Sequence, residues 1–341
     1  MQEVTIYDIA DLAGVSASTV SRVINNYPYV KKATRARVLK LLEEYHYVPN
    51  ETARGLVNQS SKMIGILISD IRTTQHTDGV YYIERELSRQ GYSCLIYNTG
   101  VAEKDQARYI QLLSQRKVDA AVLMGSIYQT EEVCRSIQTY LPTTPVVICN
   151  GFLEAPNIYG LIADERNGVC DCVELLANKG RKGVAFVVNQ YTPSNHLKEQ
   201  GYLDGMRRFL PEAEPLVIQS GSSVQEIFQA TTEMVKLHPE VTGIIFSEDL
   251  LAAVGIRALA ELHLSVPGDV AIIGINNSQF AEICVPTLTS LDNMLYDLSL
   301  MAARNLTALL QGEHINKKMM ICSKIVERQS CLLYTSPSPR D

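Results

Sequence analysis

Apolar residues recur at helical spacing near the start of the chain. Residues 6–13 place them at i, i+3, i+4 and i+7, which predicts a short amphipathic helix with Thr5 as its N-cap. Gly14 ends this pattern, and Ser16 can cap a second helix that runs through Asn25. The turn between them has the three or four residues of a helix-turn-helix. A third helix with an apolar face follows a loop, so we predict three helices around one small core.

Beyond residue 61 the pattern changes to short apolar runs that alternate with amphipathic stretches. The strand candidates are residues 63–68, 94–97, 120–124, 146–149, 160–163, 184–188, 216–218, 243–246 and 270–275. The helix candidates are residues 81–90, 104–116, 168–178, 196–209, 225–237 and 250–263. Repeated strand and helix alternation predicts parallel sheets covered on both faces. With a division near residues 152–159, we expect two such sheets and a ligand cleft between the carboxyl ends of their strands.

The composition is that of an ordinary globular protein, with 46% hydrophobic and 20% charged residues. Eight cysteines are scattered without a C-x-x-C pair or histidines at metal spacing, so we expect reduced thiols and no metal site. No apolar run approaches the roughly 18 residues of a membrane helix, and the first residues lack the features of a secretory signal. We therefore expect no membrane association and a cytoplasmic location.

The charge is distributed unevenly along the chain. The formal net charge of -6 argues against a protein that coats nucleic acid indiscriminately. Residues 1–62 carry eight basic and six acidic side chains, which sum to +2 and leave -8 for the remainder. A small basic domain on an acidic body indicates a polyanion contact confined to the N-terminal end.

Catalytic motifs are absent from the sequence. It contains no G-x-S-x-G, H-E-x-x-H or G-x-x-x-x-G-K pattern. Glu248 and Asp249 are adjacent and could act as an acid pair only in an unusual geometry. We expect neither an enzyme nor a bound cofactor.

The outward face of the second predicted helix carries small or polar side chains and a single arginine. Its residues are Ala17, Ser18, Thr19, Ser21, Arg22 and Asn25. Small side chains allow close approach to the major groove of DNA, where an arginine can bridge O6 and N7 of guanine. The alternative is a plain three-helix bundle whose polar face is only solvated.

A short segment after the third helix has the properties of a switch. Residues 50–57 predict two helical turns, capped by Asn50 and weakened by Gly55. This length is well below the roughly 12 to 15 residues that a helix needs for marginal stability alone. We expect the segment to order only when it docks.

Six stretches of the N-terminal region resemble the headpiece and hinge of the lactose repressor family, nearest to its catabolite-control and galactose-repressor branches. They are residues 4–10 (VTIYDIA), 13–16 (AGVS), 19–25 (TVSRVIN), 34–35 (TR), 47–50 (YVPN) and 53–56 (ARGL). The resemblance implies a transcriptional repressor that binds double-stranded operator DNA of pseudo-palindromic sequence as a homodimer.

The resemblance also assigns roles at the DNA. The base-reading positions match Ala17, Ser18 and Arg22. The phosphate-facing positions match Ser16, Thr19, Ser21, Asn25 and Thr34. The hinge positions match Asn50, Ala53 and Leu56, and they lie in the minor groove, where the residue matching Leu56 inserts into the central base step and kinks the DNA.

A weaker resemblance continues through the body and implies a periplasmic-binding-protein-like core, with two lobes around one small molecule. The matching pocket positions hold Gln75, His76, Asn150, Lys198 and Asn276. The first two replace aromatic residues that are common in the family. The two asparagines replace carboxylates, and the lysine replaces an arginine.

These departures bear on the effector, the small molecule that would regulate DNA binding. Asparagine still offers a donor and an acceptor to a hydroxyl, so a small polar effector such as a carbohydrate or its derivative is expected. The lost aromatics and carboxylates weaken the case for an ordinary hexose. Plainer interpretations stay open: Gln75 and His76 as a solvated loop, Asn276 as part of a turn, and Lys198 as a surface charge.

Two other functions are alternatives. A protein co-repressor could act in place of a small effector and leave a degenerate cleft, because Tyr296, Asp297 and Arg304 locally resemble the catabolite-control branch. A secreted solute-binding protein could share the two-lobed core, but the missing signal and the headpiece count against it.

The predicted fold class is an all-α three-helix headpiece with a hinge helix, followed by an α/β two-lobed core. The domains are the helix-turn-helix headpiece at residues 1–48, the hinge helix and linker at 49–61, and the effector-binding and dimerisation domain at 62–330. Residues 331–341 resemble the conceptual translation of a sequencing adapter, and a flexible Pro/Ser tail is the alternative.

Overall fold

The computed structural model describes residues 4–47 and 60–332. The chain divides into two units between Ser61 and Lys62, here called the headpiece and the body. Three predicted hinge residues, Asn50, Ala53 and Leu56, lie outside the described residues, as does the segment 333–341.

The headpiece consists of helices α1 (Ile6–Ala13), α2 (Ala17–Ile24) and α3 (Lys32–Glu44). A capping box begins α1, because the Thr5 side chain accepts from the backbone of Asp8 and the Asp8 carboxylate accepts from the backbone of Thr5. Gly14 ends α1 at a φ of 59°, a left-handed conformation that glycine adopts without a steric penalty. The core consists of Ile9, Ala10, Ala13, Val20, Val23 and Val38, all of them buried.

The first lobe of the body is built on a fully parallel six-stranded sheet. Its elements in chain order are β1 (Met63–Ile68), α4 (Thr74–Arg89), β2 (Ser93–Asn98), α5 (Glu103–Gln115), β3 (Ala120–Met124), α6 (Glu131–Tyr140), β4 (Val146–Cys149), β5 (Ile158–Ala163), α12 (Leu295–Leu310) and β11 (Lys318–Ile321). The strand order is β11-β5-β4-β3-β1-β2.

The second lobe has a sheet of the same size whose last strand is antiparallel. Its elements are α7 (Glu165–Asn178), β6 (Gly183–Val188), α8 (Pro193–Phe209), β7 (Leu216–Gln219), α9 (Val224–Leu237), β8 (Val241–Phe246), α10 (Asp249–Glu261), β9 (Ala271–Ile275), α11 (Gln279–Ile283), β10 (Thr289–Asp292) and β12 (Lys324–Val326). The strand order is β12-β10-β9-β8-β6-β7, and β12 runs antiparallel to β10.

Both sheets are covered by helices on both faces, as the alternation of strands and helices predicts. In the first lobe, α4 and α12 pack on one face and α5 and α6 on the other. In the second lobe, α9 and α10 cover one face and α7 and α8 the other. Helices α7 and α8 approach closely at Gly201, where a Cβ would lie 2.1 Å from the carbonyl oxygen of Arg166.

The expected division near residues 152–159 is wrong. Strand β5 begins within that range, but it pairs with β4 and β11, so the first lobe continues to Ala163. Within the described residues the chain passes between the lobes three times, at residues 163–165, 292–295 and 321–324. The local apolar pattern predicts strand β5 but does not show to which of the two sheets it belongs.

The last described residues pack against the second lobe. Cys331 is buried, and its Sγ lies 3.3 Å from the carbonyl oxygen of Ile272. The Ser330 hydroxyl donates to the same carbonyl at 2.6 Å. The second-lobe core therefore includes the first residue of the segment that the sequence assigns to a tail.

Candidate DNA interface and ligand cleft

The N-terminus of α2 presents a cluster of hydroxyl groups. Ser16 is the N-cap and accepts from the backbone N–H of Thr19 at 3.3 Å. Its Oγ also lies 2.8 Å from Ser18 Oγ and 3.0 Å from Thr19 Oγ1. Hydroxyls and backbone N–H groups at a helix N-terminus suit the binding of a phosphate. Three sequence-predicted DNA residues thus meet at one point.

The rest of the predicted DNA face follows along α2 and includes Thr34 in the first turn of α3. Ser18, Arg22 and Asn25 are exposed, whereas Ala17, Ser21 and Thr34 are half-buried. The Asn25 side chain donates to Ser21 Oγ at 3.4 Å. Small polar groups therefore surround one long cationic side chain, which matches the requirements of base recognition in a major groove.

Two arginines of the headpiece differ in how they are engaged. Arg35 donates to Asn26 Oδ1 at 2.9 Å and to the carbonyl oxygen of Tyr27, so it ties α3 to the preceding loop. Within residues 4–47 the Arg22 guanidinium makes no hydrogen bond or ion pair. Its donors are therefore available to a ligand.

A buried ion pair lies where the two lobes of the body meet. Glu165 begins α7, and its carboxylate lies 3.4 Å from Lys198 Nζ on α8, with side chains only 1% and 5% exposed. The Ser194 hydroxyl donates to the same carboxylate at 2.5 Å. Lys198 Nζ also donates to Asn195 Oδ1 and to the Ser247 carbonyl, both at 3.2 Å. These hydrogen bonds compensate two charges that would otherwise be costly to bury.

Hydrogen bonds that run from the same carboxylate through Asn293 connect all three passages of the chain between the lobes. Glu165 stands at the first passage, and the second passage carries Asn293, whose Nδ2 donates to Glu165 at 3.0 Å. The third passage carries Ser323, whose hydroxyl donates to Asn293 Oδ1 at 3.1 Å. Asn293 Nδ2 also donates to Asn276 Oδ1 at 3.1 Å. We call Glu165, Ser194, Lys198, Asn276, Asn293 and Ser323 the Glu165 network.

A direct hydrogen bond also joins the lobes. The backbone N–H of Ser194, in the first turn of α8, donates to Ser126 Oγ at 3.0 Å. Ser126 follows β3 of the first lobe and is buried. The first turn of α8 therefore contacts the first lobe through its backbone and Glu165 through a side chain.

The structure distributes the five sequence-predicted effector residues over neighbouring parts of this cleft. Lys198 and Asn276 belong to the Glu165 network. His76 packs over the backbone of Gly125, at the end of β3, and its Nδ1 lies 3.3 Å from the Asp70 carbonyl. Asn150 accepts from the backbone N–H of Ala163 at 3.3 Å and so links the ends of β4 and β5.

Asn150, Asn276 and Asn277 fit both interpretations, as residues of left-handed turns and as polar groups at the ends of strands. Asn150, Asn276 and Asn277 have φ values of 59°, 105° and 48°, which asparagine tolerates better than most residues. Their backbone conformation therefore explains the residue type by itself. Their side chains nevertheless hydrogen-bond at the strand ends, where a ligand of this fold binds.

Sequence reasoning missed the residues that organise the cleft, above all Glu165, Ser194 and Asn293. One signal was available: Asp164 and Glu165 directly follow a buried strand, and acidic residues at the carboxyl end of a parallel strand point to a site. Asn293 gives no such signal, because its partner Glu165 is 128 residues away.

Burial changes the titration of several cleft residues. Burial raises the pKa of Glu248, against the opposing effects of Lys198 and a hydrogen bond from Asn189. Burial also raises the pKa of Asp249 to about 6, although hydrogen bonds from Ser278 and Ser290 act in the other direction. For His76, burial lowers the pKa, which favours the neutral ring.

A cavity of 220 Å³ opens beside the Glu165 network. Gln75, Asp78 and Tyr82 line it from α4 of the first lobe, and residues 276–278 line it from the second lobe. Asp292 and residues 294–297, from the second passage, complete the wall. Two predicted effector residues, Gln75 and Asn276, thus share one cavity.

Residues 4–47 and 60–332 contain neither a metal-binding cluster nor a membrane-spanning helix. This part of the chain contains no group of three or more His, Cys, Asp and Glu side chains arranged to hold a metal ion. None of its helices combines the length and the apolar character needed to span a bilayer.

Two family models match the chain. The model described as bacterial regulatory proteins, lacI family, matches residues 5–50, and a periplasmic binding protein-like domain matches residues 173–331. The chain is 33% identical over 330 residues to an HTH-type transcriptional regulator of Lachnoclostridium phytofermentans, covering 95% of this chain and 98% of that protein. It is 29% identical to catabolite control protein A of Priestia megaterium, with coverage of 96% and 99%.

Solved structures share the whole fold. A lac repressor dimer bound to operator and the anti-inducer ONPF superimposes with a TM-score of 0.88 at 23% identity, covering 97% of this chain and 100% of that one. A complex of the transcriptional regulator CelR with cellobiose has a TM-score of 0.69 at 23% identity, with coverage of 96% and 99%. These structures confirm the predicted headpiece followed by a two-lobed core.

The Glu165–Lys198 pair leads to a stability prediction. Lys198→Met should lower the free energy of unfolding by about 3 to 5 kcal/mol, because it leaves a buried carboxylate without its counter-charge. The double variant Glu165→Gln/Lys198→Met should recover a large part of that loss. Urea denaturation measures the unfolding free energy of both variants.

Lys179→Met is the control, since the Lys179–Glu327 pair is partly exposed and should contribute about 1 kcal/mol or less. A double variant no more stable than Lys198→Met would contradict this account.

Asp249 leads to a prediction about pH. Its folded-state pKa of about 6 exceeds its ordinary value of 3.8, so its protonated form favours folding below about pH 4 and this contribution is lost as the pH rises through 6. The unfolding free energy of the natural chain minus that of Asp249→Asn should therefore decrease from pH 4 to pH 7, by up to about 3 kcal/mol. The natural chain loses stability over this range because Asp249 ionises, whereas asparagine does not titrate. Denaturation at a series of pH values measures it. A constant difference would show that Asp249 is ionised throughout.

Proposed function

Because the chain belongs to the lacI family of bacterial regulatory proteins and is a DNA-binding transcriptional regulator, we propose that it represses transcription from a pseudo-palindromic operator. It binds the operator as a homodimer in the cytoplasm, and a small polar effector controls its affinity for DNA. The observation that carries this proposal is the exposed face of α2, where small polar side chains surround an unengaged arginine. The lac repressor dimer, which shares this fold, was crystallised on its operator.

The headpiece residues divide into two roles. Arg22, with Ala17 and Ser18, reads base edges in the major groove, because a guanidinium on a face of small residues can reach O6 and N7 of guanine. The phosphate contacts come from Ser16, Thr19, Ser21 and Asn25, which lie along α2 and at its caps, and from Thr34 in the first turn of α3. Phosphate contacts position the helix, and base contacts give sequence preference.

The hinge residues complete the proposed interface. Asn50, Ala53 and Leu56 lie outside the described residues, and their role rests on the sequence resemblance. The two hinge segments of a dimer lie in the minor groove, where Leu56 inserts into the central base step. An operator with a flexible central step is therefore preferred, since such a step is easily kinked.

The body supplies the control. A ligand between the lobes contacts Asn150 and Asn276, which follow β4 and β9. It also contacts Gln75 and His76 in the first turn of α4 and Lys198 on α8. Lys198 and Asn276 also hydrogen-bond within the Glu165 network, which joins all three passages between the lobes. A ligand that changes these hydrogen bonds therefore changes the relative stability of lobe arrangements, which is the differential interaction that an effector requires.

Arg22 provides the test of sequence-specific DNA binding. An operator is first selected from a random DNA library with the full chain. Arg22→Ala should then weaken binding to that operator by roughly 1 to 3 kcal/mol and relax the preference at one base pair per half-site, because a bidentate base contact is lost. Fluorescence anisotropy with the operator and with random DNA measures both effects.

The matched control is Arg37→Ala, which removes the same charge from an exposed position on α3. It should weaken binding to both DNAs to a similar extent and leave the sequence preference unchanged. Equal loss on operator and random DNA for Arg22→Ala would show that Arg22 contacts only phosphate.

The effector is tested through its coupling to DNA. Carbohydrates, nucleosides and organic acids are screened by thermal shift, and each hit is measured in the presence and absence of operator. The coupling should be reciprocal and about 1 to 3 kcal/mol, with DNA changing ligand affinity by the factor by which ligand changes DNA affinity. Asn150→Ala and Asn276→Ala should weaken the hits.

A protein co-repressor acting on a degenerate cleft predicts a different result. In that case no compound of these classes stabilises the chain, and operator affinity does not respond to any of them. A hit that binds Asn150→Ala and Asn276→Ala as tightly as the natural chain would place the ligand elsewhere. Neither outcome affects the test of Arg22, which concerns the headpiece alone.

A further inference from the structure

The carboxylate of Asp249 joins three elements of the second lobe. Asp249 begins α10 and is only 1% exposed. Its Oδ2 accepts from the backbone N–H and the hydroxyl of Ser278, at 2.6 and 2.9 Å. Its Oδ1 accepts from the hydroxyl of Ser290, on β10, at 2.5 Å. The carboxylate therefore links α10 to β10 and to the loop that follows β9.

This loop, residues 276–278, is here called the cleft loop, and it carries the predicted effector residue Asn276. Asn276 and Asn277 have φ values of 105° and 48°, so two consecutive residues adopt sparsely populated conformations. The backbone N–H of Asn277 donates to Ser290 Oγ at 2.9 Å, and the Ser290 hydroxyl donates in turn to Asp249. Asp249 thus supports two consecutive N–H groups of the cleft loop, one directly and one through Ser290.

The neighbouring strand leaves room for this carboxylate. A Cβ at Gly274, on β9, would lie 2.3 Å from Asp249 Oδ1, so a larger residue there would displace the carboxylate. Absence of a side chain at such a position allows close approach. The packing around Asp249 is therefore matched to one position of its side chain.

The buried carboxylate has no cation in contact with it among residues 60–332. Its three hydrogen bonds come from neutral donors. Arg328 donates to Asn277 Oδ1 at 2.8 Å and lies 3.9 Å from Glu282, so it acts on Asp249 only from a distance. The other titratable groups around Asp249 are Glu248, Glu282, Cys284 and Asp292. Burial therefore prevails and raises the pKa of Asp249 to about 6.

The protonation of Asp249 and the order of the cleft loop are coupled. An ionised carboxylate in the closed loop bears a desolvation cost that neutral donors compensate only in part. Opening of the loop admits water, so ionisation favours the open loop and protonation favours the closed one. The protonated carboxyl can donate to Ser290 Oγ and still accept from Ser278, so the contacts between the three side chains persist in that form.

We propose that Asp249 is the positioning residue for Asn276, and that it holds the cleft loop more firmly in its protonated form than in its ionised form. An effector that binds Asn276 therefore meets a more ordered site below about pH 6 than above it. Asp249 acts through the cleft loop and does not itself touch the effector. This proposal rests on the proposed function, in which Asn276 contacts a small polar molecule.

The test follows backbone amides of the ligand-free full chain by NMR between about pH 4.5 and 8. The amide shifts of Asn277 and Ser278 should titrate with a common midpoint near pH 6. Ser265 is the internal control, because its N–H and hydroxyl donate to the exposed Asp269 at 2.7 and 2.6 Å. These hydrogen bonds lower the pKa of Asp269, so the Ser265 amide should stay nearly constant over this range.

Asp249→Asn removes the titration but keeps the pattern of one donor and one acceptor that the protonated carboxyl has. It should abolish the midpoint near pH 6 at Asn277 and Ser278, whereas the control Asp269→Asn should leave that midpoint unchanged. Hydrogen exchange, corrected for the intrinsic rate, measures the order of the loop. The opening constant at the Ser278 amide should rise about tenfold from pH 5 to pH 7.5 in the natural chain and stay constant in Asp249→Asn.

Three outcomes would overturn the proposal: amides of the cleft loop without a midpoint near pH 6, a midpoint that persists in Asp249→Asn, or Ser278 opening no more often than Ile66 in the core of β1. The last would mean that the whole chain unfolds and not the loop alone. If Asp249→Asn does not fold, Ser290→Ala should remove the midpoint at Asn277 and keep it at Ser278. None of these measurements uses a ligand, so an effector screen without hits would contradict the proposed function and leave the titration of the cleft loop unaffected.

Discussion

The buried pair of Glu165 and Lys198 is the interaction on which the arrangement of the two lobes depends. Burying a carboxylate and an ammonium costs several kcal/mol per ion, and their mutual attraction compensates this only when further hydrogen bonds complete both groups. Ser194 and Asn293 do so for the carboxylate, and Asn195 and the Ser247 carbonyl for the ammonium. A pair with such requirements tolerates few geometries. The three passages of the chain, which meet around it, are therefore held in a defined arrangement.

This placement explains how a cleft can control a distant DNA contact. The groups available to a ligand are not separate from the groups that set the lobe arrangement: Lys198 and Asn276 belong to both. A ligand that hydrogen-bonds to either one competes with Asn293 or Glu165 for it. Its binding energy therefore differs between lobe arrangements, as any allosteric ligand requires. The hydrogen bond from Ser194 to Ser126 adds a direct link between the lobes that the same competition can strain or release.

The sequence predicts local features well and long-range ones poorly. The N-caps at Thr5 and Ser16 and the cores of most strands depend on neighbouring residues, and the structure has them as predicted. The short strands β10, β11 and β12 and the short helix α11 were not predicted, because their apolar patterns span only a few residues. Helix α6 was also not predicted, although Val133 and Ile137 form a buried face on it. The division between lobes was wrong because β5, which begins within residues 152–159, pairs with β4 and so extends the first sheet to Ala163. Of the five predicted cleft residues, Asn150 and Asn276 lie at strand ends, whereas Gln75, His76 and Lys198 lie in helices. Nothing local identifies Glu165 and Asn293 as partners.

The headpiece and the cleft also differ in whether their binding residues come from one local segment or from distant segments of the chain. The proposed base-reading residues Ala17, Ser18 and Arg22 fall within six consecutive positions of α2, so a single helix determines their relative geometry. The cleft instead draws its polar groups from segments separated by more than a hundred residues, as the Glu165–Asn293 hydrogen bond shows. Each of those segments is also held in place by core packing on its own strand or helix. A substitution at a strand end can therefore alter the charge balance of the cleft without disturbing the sheets. It follows that a family resemblance in the body defines the fold, whereas effector chemistry has to be argued from the side chains of this chain.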